Sequence, residues 1–395
     1  LRRRRDAALL RQVVRGVFGL RYPIASHREH MRAAMEWLCC AHDQPGDGGV
    51  AALYNLAEGR WAPSYPETTG YIIPTFFDYA AFTGDRRCRD RALAMAEWLL
   101  TLQDAAGWFP MGPLWPDLER KPVIFDTGQI LFGLVRAFEE TGDARFVDAA
   151  SRACDWLAEV QGADGAWRRF DYLEQTHAYN ARVAWGMLRV AQHTGRAAQR
   201  EAAARNLRWV MAQQTPTGWF RQASFSPEYQ PFTHTLAYTI RGLLESSELL
   251  GDETMFAAAR RAAEALRERQ LPDGSLSATY GPQWESADNY TCLTGNVQMG
   301  QIWLRLFQLT HDLRYWEAGT RANASVKRRQ ARNSGQAGVD GGIAGSFPVF
   351  GGYERWLYVN WAAKFFVDSL LLEEQLETAK GNAHDQTRQH RPANV

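Results

Sequence analysis

Read for its apolar positions, the chain alternates two kinds of segment. One kind is apolar on nearly every side, as in "TGYIIPTFFDYAAF", "TGQILFGLVRAF", "ARVAWGMLRVAQ", "LAYTIRGLLESSEL" and "GNVQMGQIWLRLFQL". The other, as in "RALAMAEWLLTLQ" and "AASRACDWLAEVQ", carries apolar residues at three- and four-residue spacing. All-round apolarity marks a buried helix, and a single apolar stripe marks a helix whose other face meets water. Short turns join the two kinds: "TGD" at 83–85 and 141–143, "TGR" at 194–196, "LGD" at 250–252 and "THD" at 310–312. From the third residue of each turn a glutamine follows after one and the same interval: Asp85 to Gln103, Asp143 to Gln161, Arg196 to Gln214, Asp252 to Gln270 and Asp312 to Gln330. That shared interval is one amphipathic helix of about five turns.

The repeating unit is therefore a helical hairpin, measured from one of these glutamines to the next. Five hairpins are visible. The helices left over are an apolar one near the end, "NWAAKFFVDSLLLEEQL" (360–376), and an amphipathic one near the start, "HREHMRAAMEWLCCAH" (27–42). Pairing them makes a sixth hairpin and removes the exposed ends that an open solenoid must cap. The pattern predicts an all-α (α/α)6 toroid with an inner and an outer ring, occupying 27–376 as one domain. A basic N-terminal extension (1–26) precedes it, and a polar, disordered tail (377–395) follows.

Composition narrows the function without choosing it. Lys+Arg 45 against Asp+Glu 44 leaves a net charge of +1, so binding driven by phosphate neutralisation has no basis and no nucleic-acid partner is expected. No run approaches the length of a membrane span. Five cysteines without CxxC or Cys/His ligand spacing point to neither a disulfide framework nor a zinc site. A reducing, cytoplasmic setting is expected; because the chain does not begin with Met, a trimmed leader is the alternative. No metal-ligand cluster or cofactor motif is present, so cofactor-independent chemistry is expected.

The candidate chemistry lies where the inner helices begin. The return connections are long and carry aromatic residues, among them Trp108, Trp167, Trp219 and Trp284. Counting 16 residues back from each turn gives the column Thr69, Thr127, Asn180, Leu236, Asn296, for which capping accounts in part. Two residues further on the column is Tyr71, Gln129, Arg182, Tyr238, Gln298, polar in every hairpin at a height without capping duty. Beside these stand Glu67, Asp126, Tyr179 and His234, and the sixth helix adds Asn360, Trp361 and Lys364. Asp126 is expected to cap its helix and to join a ring of polar groups around a central funnel. Amides, hydroxyls and carboxylates among flat rings suit a polyhydroxylated ring, and Arg182, Lys364 and His234 could hold a uronate carboxylate. The substrate-binding set expected is Tyr71, Trp108, Gln129, Asn180, Arg182, Trp219, Asn296, Gln298, Asn360, Trp361 and Lys364.

Repeat and funnel together resemble the six-hairpin (α/α)6 carbohydrate enzymes, which include unsaturated glucuronyl and rhamnogalacturonyl hydrolases and N-acylglucosamine 2-epimerases. In the unsaturated uronyl hydrolases an Asp at the start of an inner helix acts as acid and base, and "FDTGQ" places Asp126 similarly. "NWAAKFF" and the Tyr-rich rim are similar, more loosely, to glucuronyl C5-epimerases. "QGADGAW" (161–167) resembles the Q-x3-G-x-W repeat of triterpene cyclases, where Gln and Trp fasten an outer helix to its loop. The Asp-rich acid motif of those cyclases is absent here.

Three readings follow. The first is a glycoside hydrolase acting on a uronic-acid-containing oligo- or polysaccharide, with Asp126 or Glu67 as the general acid, its partner activating water, and His234, Tyr179 and Tyr238 positioning or exchanging protons. Asp171, Glu285, Asp288 and Asp340 stand in reserve. The second is a uronyl C5-epimerase or lyase in which His234 or a tyrosine abstracts a proton. The third is a non-catalytic glycan-binding toroid.

Overall fold

The computed structural model describes the backbone of residues 2–389 and the side chains of residues 7–378. After α1 (Arg2–Val17) and α2 (His27–Asp43), the chain runs through five hairpins. These are α3 (Pro66–Thr83) with α4 (Arg86–Leu102), α5 (Ile124–Thr141) with α6 (Ala144–Glu159), and α7 (Ala181–Thr194) with α8 (Ala197–Ala212). Then come α9 (Thr233–Leu250) with α10 (Glu253–Arg267), and α11 (Leu293–Thr310) with α12 (Leu313–Lys327), before α13 (Asn360–Gln389). The apolar helices α3, α5, α7, α9, α11 and α13 neighbour one another in that order, and α13 returns to α3. Each amphipathic helix backs its own inner helix, and α2 backs α13. The fold is an (α/α)6 toroid closed by its first and last helices.

Local chemistry sets the hairpins. Gly84, Gly142, Gly195 and Gly251 end four inner helices in the left-handed conformation that glycine enters without a Cβ penalty. Asp85, Asp143, Asp252 and Asp312 then cap the outer helices, each accepting a hydrogen bond from a backbone N–H two residues on. Arg196 occupies this place in the third hairpin and makes no side-chain cap. Inner helices touch through small residues: a Cβ on Gly133 would lie 2.2 Å from the carbonyl oxygen of Gly70.

The repeated glutamines fasten neighbouring hairpins. In Gln103, Gln161, Gln214 and Gln270 the amide Nε2 donates to the glycine carbonyl four residues on and to a carbonyl of the next outer helix: Ala149, Ala202, Ala258 and Ala318. Gln330 closes the ring. Its Nε2 donates to Gly341 O at 2.7 Å and to His30 O on α2 at 3.2 Å, while its Oε1 meets His30 Nδ1 at 2.5 Å. In the loop layer, strands β1 (Leu53–Asn55) and β5 (Leu357–Val359) pair antiparallel with Tyr54 opposite Tyr358, with β2 (Arg60–Trp61) on the far side of β1. This second closure was absent from the sequence reading. A short ribbon of β3 (Thr291–Cys292) and β4 (Ser346–Phe347) completes the layer.

Burial at the closure holds the His30 imidazole down at about 4, against 6.5 in the open. Between those values the unfolded chain binds a proton that the folded chain refuses. Stability is therefore complete above about pH 6.5 and falls as pH drops toward 4. Urea midpoints measured across this window should decline with acid, and His30→Gln should flatten the slope.

At the ends, the structure adds to one expectation and differs from another. The extension before residue 27 contains α1 and is tied to the barrel, with the Tyr22 N–H donating to Arg328 O at 2.8 Å and the Arg15 guanidinium 3.6 Å from the Tyr22 ring centre. The tail expected to be disordered from 377 continues α13 as far as Gln389, in keeping with its Glu, Ala, Lys and Gln content; the remainder, 390–395, lies outside the described residues. The seam between α2 and α13 brings His27, Glu374 and Glu377 within reach of one another. Ion pairing of His27 with Glu373 at 3.0 Å and a hydrogen bond with Lys327 account for that cluster. No helix among the described residues is long and apolar enough to cross a membrane.

Candidate active site

Glu67 and Asp126 come from the first turns of adjacent inner helices, α3 and α5, and their carboxyl groups lie close enough to shift each other's titration. Both are nearly sealed from solvent, 7% and 5% exposed. Asp126 does not cap its helix. Val123 holds the cap position without a side-chain bond, and Asp126 stands three residues on, where its Oδ2 accepts from the Gly112 N–H at 2.8 Å. The connection between α4 and α5 is thereby drawn across the axis, and the Leu114 N–H fastens it to Ser64 O at 2.9 Å. The Tyr65 hydroxyl donates to Glu67 Oε2 and also reaches Asp126.

Burial is the main cause that lifts both carboxyls above their ordinary range, and each other's charge adds to it at Glu67. Asp126 is raised to about 6 and Glu67 further, because hydrogen bonds from Gly112 and its neighbours favour the Asp126 anion. The pair therefore keeps a proton to higher pH than ordinary carboxyls do, Glu67 more firmly than Asp126. Asp171 joins this acidic group; burial raises it well above its usual value and the Asp126 charge adds to the effect. Asn180 Nδ2 donates to its Oδ2 at 2.6 Å.

Aromatic side chains stand around the pair. The Phe125 ring meets Tyr179 edge-on at 5.2 Å and Tyr238 at 5.0 Å, and His234 lies 4.4 Å from Tyr238 and 5.6 Å from Tyr353. Trp361 Nε1 donates to the Tyr353 hydroxyl at 3.0 Å. His234 Nδ1 meets Gln298 Oε1 at 2.7 Å; an amide oxygen only accepts, so Nδ1 carries the hydrogen and Nε2 keeps a lone pair. Burial lowers this imidazole to about 4, so it is neutral at pH 7.

The second column meets across the axis as a polar layer. Tyr71 and Tyr238 lie close enough for their hydroxyls to influence each other, and Arg182 Nε donates to Gln129 Oε1 at 2.6 Å. Beneath this layer lies a separate cavity, lined by Tyr71, Arg182, Lys364 and Phe365 but by neither Glu67 nor Asp126. Arg182 and Lys364 thus line a cavity that the carboxyl pair does not, although the Arg182 charge still reaches Glu67.

The first column holds loops. Thr69 Oγ1 accepts from the Val50 N–H, and Thr127 Oγ1 from Phe109. Asn296 accepts from the Leu276 N–H at 2.9 Å and donates to Ala322 O at 3.0 Å, while Asn360 donates to Ala51 O and to Thr68. Asn296 is thus engaged with loop and outer-helix backbone on both sides of its amide, while the Oδ1 atoms of Asn180 and Asn360 are without a hydrogen-bond partner among the described residues. The tryptophans stand with the outer junctions: Trp108 and Trp219 follow Gly107 and Gly218, which abut α6 and α10, and Trp219 Nε1 donates to Tyr280 O. Trp167 and Trp284 likewise donate to backbone carbonyls, of Leu157 and Thr217. Of the reserve acids, Asp288, Glu285 and Asp340 accept backbone N–H bonds within their own loops. Tyr65 and Tyr353 escaped the sequence reading; "SYPET" did place one tyrosine two residues before Glu67.

No protein-family model matches the chain, and no curated protein does. Solved structures do. An unsaturated glucuronyl hydrolase specific for heparin matches at TM-score 0.71 and 14% identity, over 89% of this chain and 98% of its own. An unsaturated glucuronyl hydrolase from a Bacillus species, described as responsible for glycosaminoglycan degradation, matches at 0.70 and 16%, over 88% and 96%. The cellobiose 2-epimerase of Bacillus thermoamylovorans matches at 0.67 and 12%, over 87% and 97%. The chain thus has the six-hairpin toroid fold that these hydrolases and epimerases share.

Proposed function

We propose that the protein is an acid–base enzyme of saccharides, that Glu67 and Asp126 are its proton-transferring pair, and that it hydrolyses uronic-acid-containing oligosaccharides. The observation that carries this reading is the juxtaposition of two buried carboxyls, both raised by burial, among aromatic rings. Carboxyls that flank a glycosidic bond stand about 5 to 9.5 Å apart, with the sugar or a water between them. A pair whose titrations are linked works as one unit instead, donating a proton and then recovering one from water. An unsaturated uronide suits such a unit. Its enol-ether carbon accepts the proton, water adds to the resulting oxocarbenium carbon and returns a proton to the pair, the hemiketal opens to a ketone, and the hemiacetal so left at C1 collapses to an aldehyde and releases the second sugar. The similarity in fold to unsaturated glucuronyl hydrolases supports this substrate class.

His234 supports a second reading, epimerisation. A neutral imidazole with a free Nε2 beside Tyr238 can take a proton from a sugar carbon and return it on the other face.

The test is incubation in D2O with unsaturated uronyl disaccharides, saturated uronides and cellobiose, followed by NMR. Hydrolysis predicts loss of the alkene, one deuterium in the released acid and none in recovered substrate. Epimerisation predicts deuterium in a saccharide of unchanged length. Turnover of none of these substrates would overturn both readings.

A further inference from the structure

Beneath the Tyr71 and Arg182 layer, the barrel axis opens into a cavity of about 480 Å³ that the proposed reaction does not use. It lies among the later turns of the inner helices, and exposed Asp78, Gln308 and Gln375 stand on its lining. Most of its cations are matched. Arg136 pairs with Asp78 at 2.7 Å, Arg189 with Glu139 at 2.6 Å, and Arg241 and Arg305 with Glu245 at 2.6 and 3.3 Å; Lys364 pairs with Asp368.

Arg182 is not matched. It is 4% exposed, its Nε is committed to the neutral Gln129, and among the described residues no carboxylate lies within ion-pairing distance of it. Its guanidinium carbon is 5.8 Å from the Tyr71 ring centre and 5.3 Å from that of Phe365; Lys364 Nζ is 5.6 and 4.3 Å from the same two rings. Two cations thus share the inner end of the cavity with one carboxylate, Asp368, whose Oδ1 already accepts from Thr75 at 2.6 Å. Burial and the neighbouring Arg182 charge hold Lys364 down at about 8. The faces of Phe132, Trp185 and Tyr238 also stand by the guanidinium but carry no full negative charge, so an anion entering from solvent would still offset the cost of the buried cation.

We infer that this cavity binds a small oxyanion-bearing ligand, a phosphate, sulfate or carboxylate seated between Arg182 and Lys364. The volume is that of a small-molecule site, and the rings of Tyr71, Phe132, Trp185 and Phe365 offer flat walls to a sugar-sized body carrying the anion. The site is distinct from the Glu67 and Asp126 pair, neither of which lines it.

Thermal-shift and calorimetric titrations of the full chain with inorganic phosphate, inorganic sulfate, glucose 1-phosphate and glucuronate, against neutral glucose, test the inference. At least one anion should raise the unfolding midpoint saturably while glucose does not, by several degrees at about 100 times Kd. Tighter binding of glucose 1-phosphate or glucuronate than of the inorganic ions would assign a ring-borne anion, and equal binding a free one. Affinity should fall at least tenfold in Arg182→Gln and Lys364→Met and persist in Glu67→Gln. Should Arg182→Gln fail to fold, Lys364→Met and Arg241→Gln carry the comparison. No saturable shift with any anion, or unchanged affinity in Lys364→Met, would overturn the inference. Loss confined to Glu67→Gln would do so too, by placing the anion beside the carboxyl pair.

Discussion

Glu67→Gln should lower kcat on a uronyl substrate by about 10²- to 10⁴-fold and at the same time make the protein more resistant to heat at alkaline pH. The kinetic loss follows from the proton that Glu67 keeps. Glutamine keeps the size of the neutral acid, but it has no proton to transfer. Asp126→Asn should cost as much, by removing the group that takes the proton back. In the wild-type protein, activity should rise with pH through about 6, as Asp126 ionises, and that limb should vanish in Asp126→Asn. The stability gain follows from the direction of the Glu67 shift. Folding raises this carboxyl well above its ordinary value of 4.5, so the folded state holds a proton that the unfolded state has released. The wild type is least handicapped below that value and loses stability as pH rises from it. Glutamine removes this dependence. The difference in midpoint between variant and wild type should be near zero at pH 4 and grow toward pH 8; a difference that stays flat across this range would contradict the raised Glu67.

Gln330→Ala should destabilise the fold by about 3 to 5 kcal/mol, more than alanine at any of the other four repeated glutamines. Gln330 is fully buried, as is His30, and the substitution strips partners from Gly341 O, His30 O and His30 Nδ1 in a place water does not reach. Leaving a buried donor or acceptor unpaired costs about 1 to 3 kcal/mol each. Gln103 and Gln270, by contrast, are partly exposed, so water replaces some of what alanine removes there. Urea unfolding of the five single variants, followed by circular dichroism, ranks them directly. A Gln330 variant no weaker than Gln270→Ala would show that β1 and β5, with the α2 and α13 packing, close the ring unaided.

The hairpins were legible because their signals are local. A turn glycine or histidine, a capping aspartate and a fixed interval to the next glutamine each act within one unit and recur along the chain. Ring closure was legible by default, since two unpaired helices remained. The site was less so. Residues counted at one height were treated as facing one way, yet each step along a helix turns a side chain by about 100°. Asn296 therefore reaches outward to Leu276 and Ala322, while Gln298, two positions on, reaches His234. The juxtaposition of Glu67 and Asp126 depends on the rotation of two helices from different hairpins, α3 and α5, which no periodicity records. The polar layer across the axis depends on long side chains meeting in the middle of the ring, and spacing does not say whether an arginine there points up or down.

The closing glutamine and its partner are separated by 300 residues. During synthesis α2 emerges early and must wait for nearly the whole polypeptide before α13 and Gln330 exist to receive it. Until then the nascent barrel is a crescent with two raw edges, an apolar inner helix at one and an orphaned amphipathic helix at the other. The final step is one long-range docking event, slow by its sequence separation and exposed to association with other copies while it is pending. A barrel without ends in its native state is, for most of its manufacture, a structure with two.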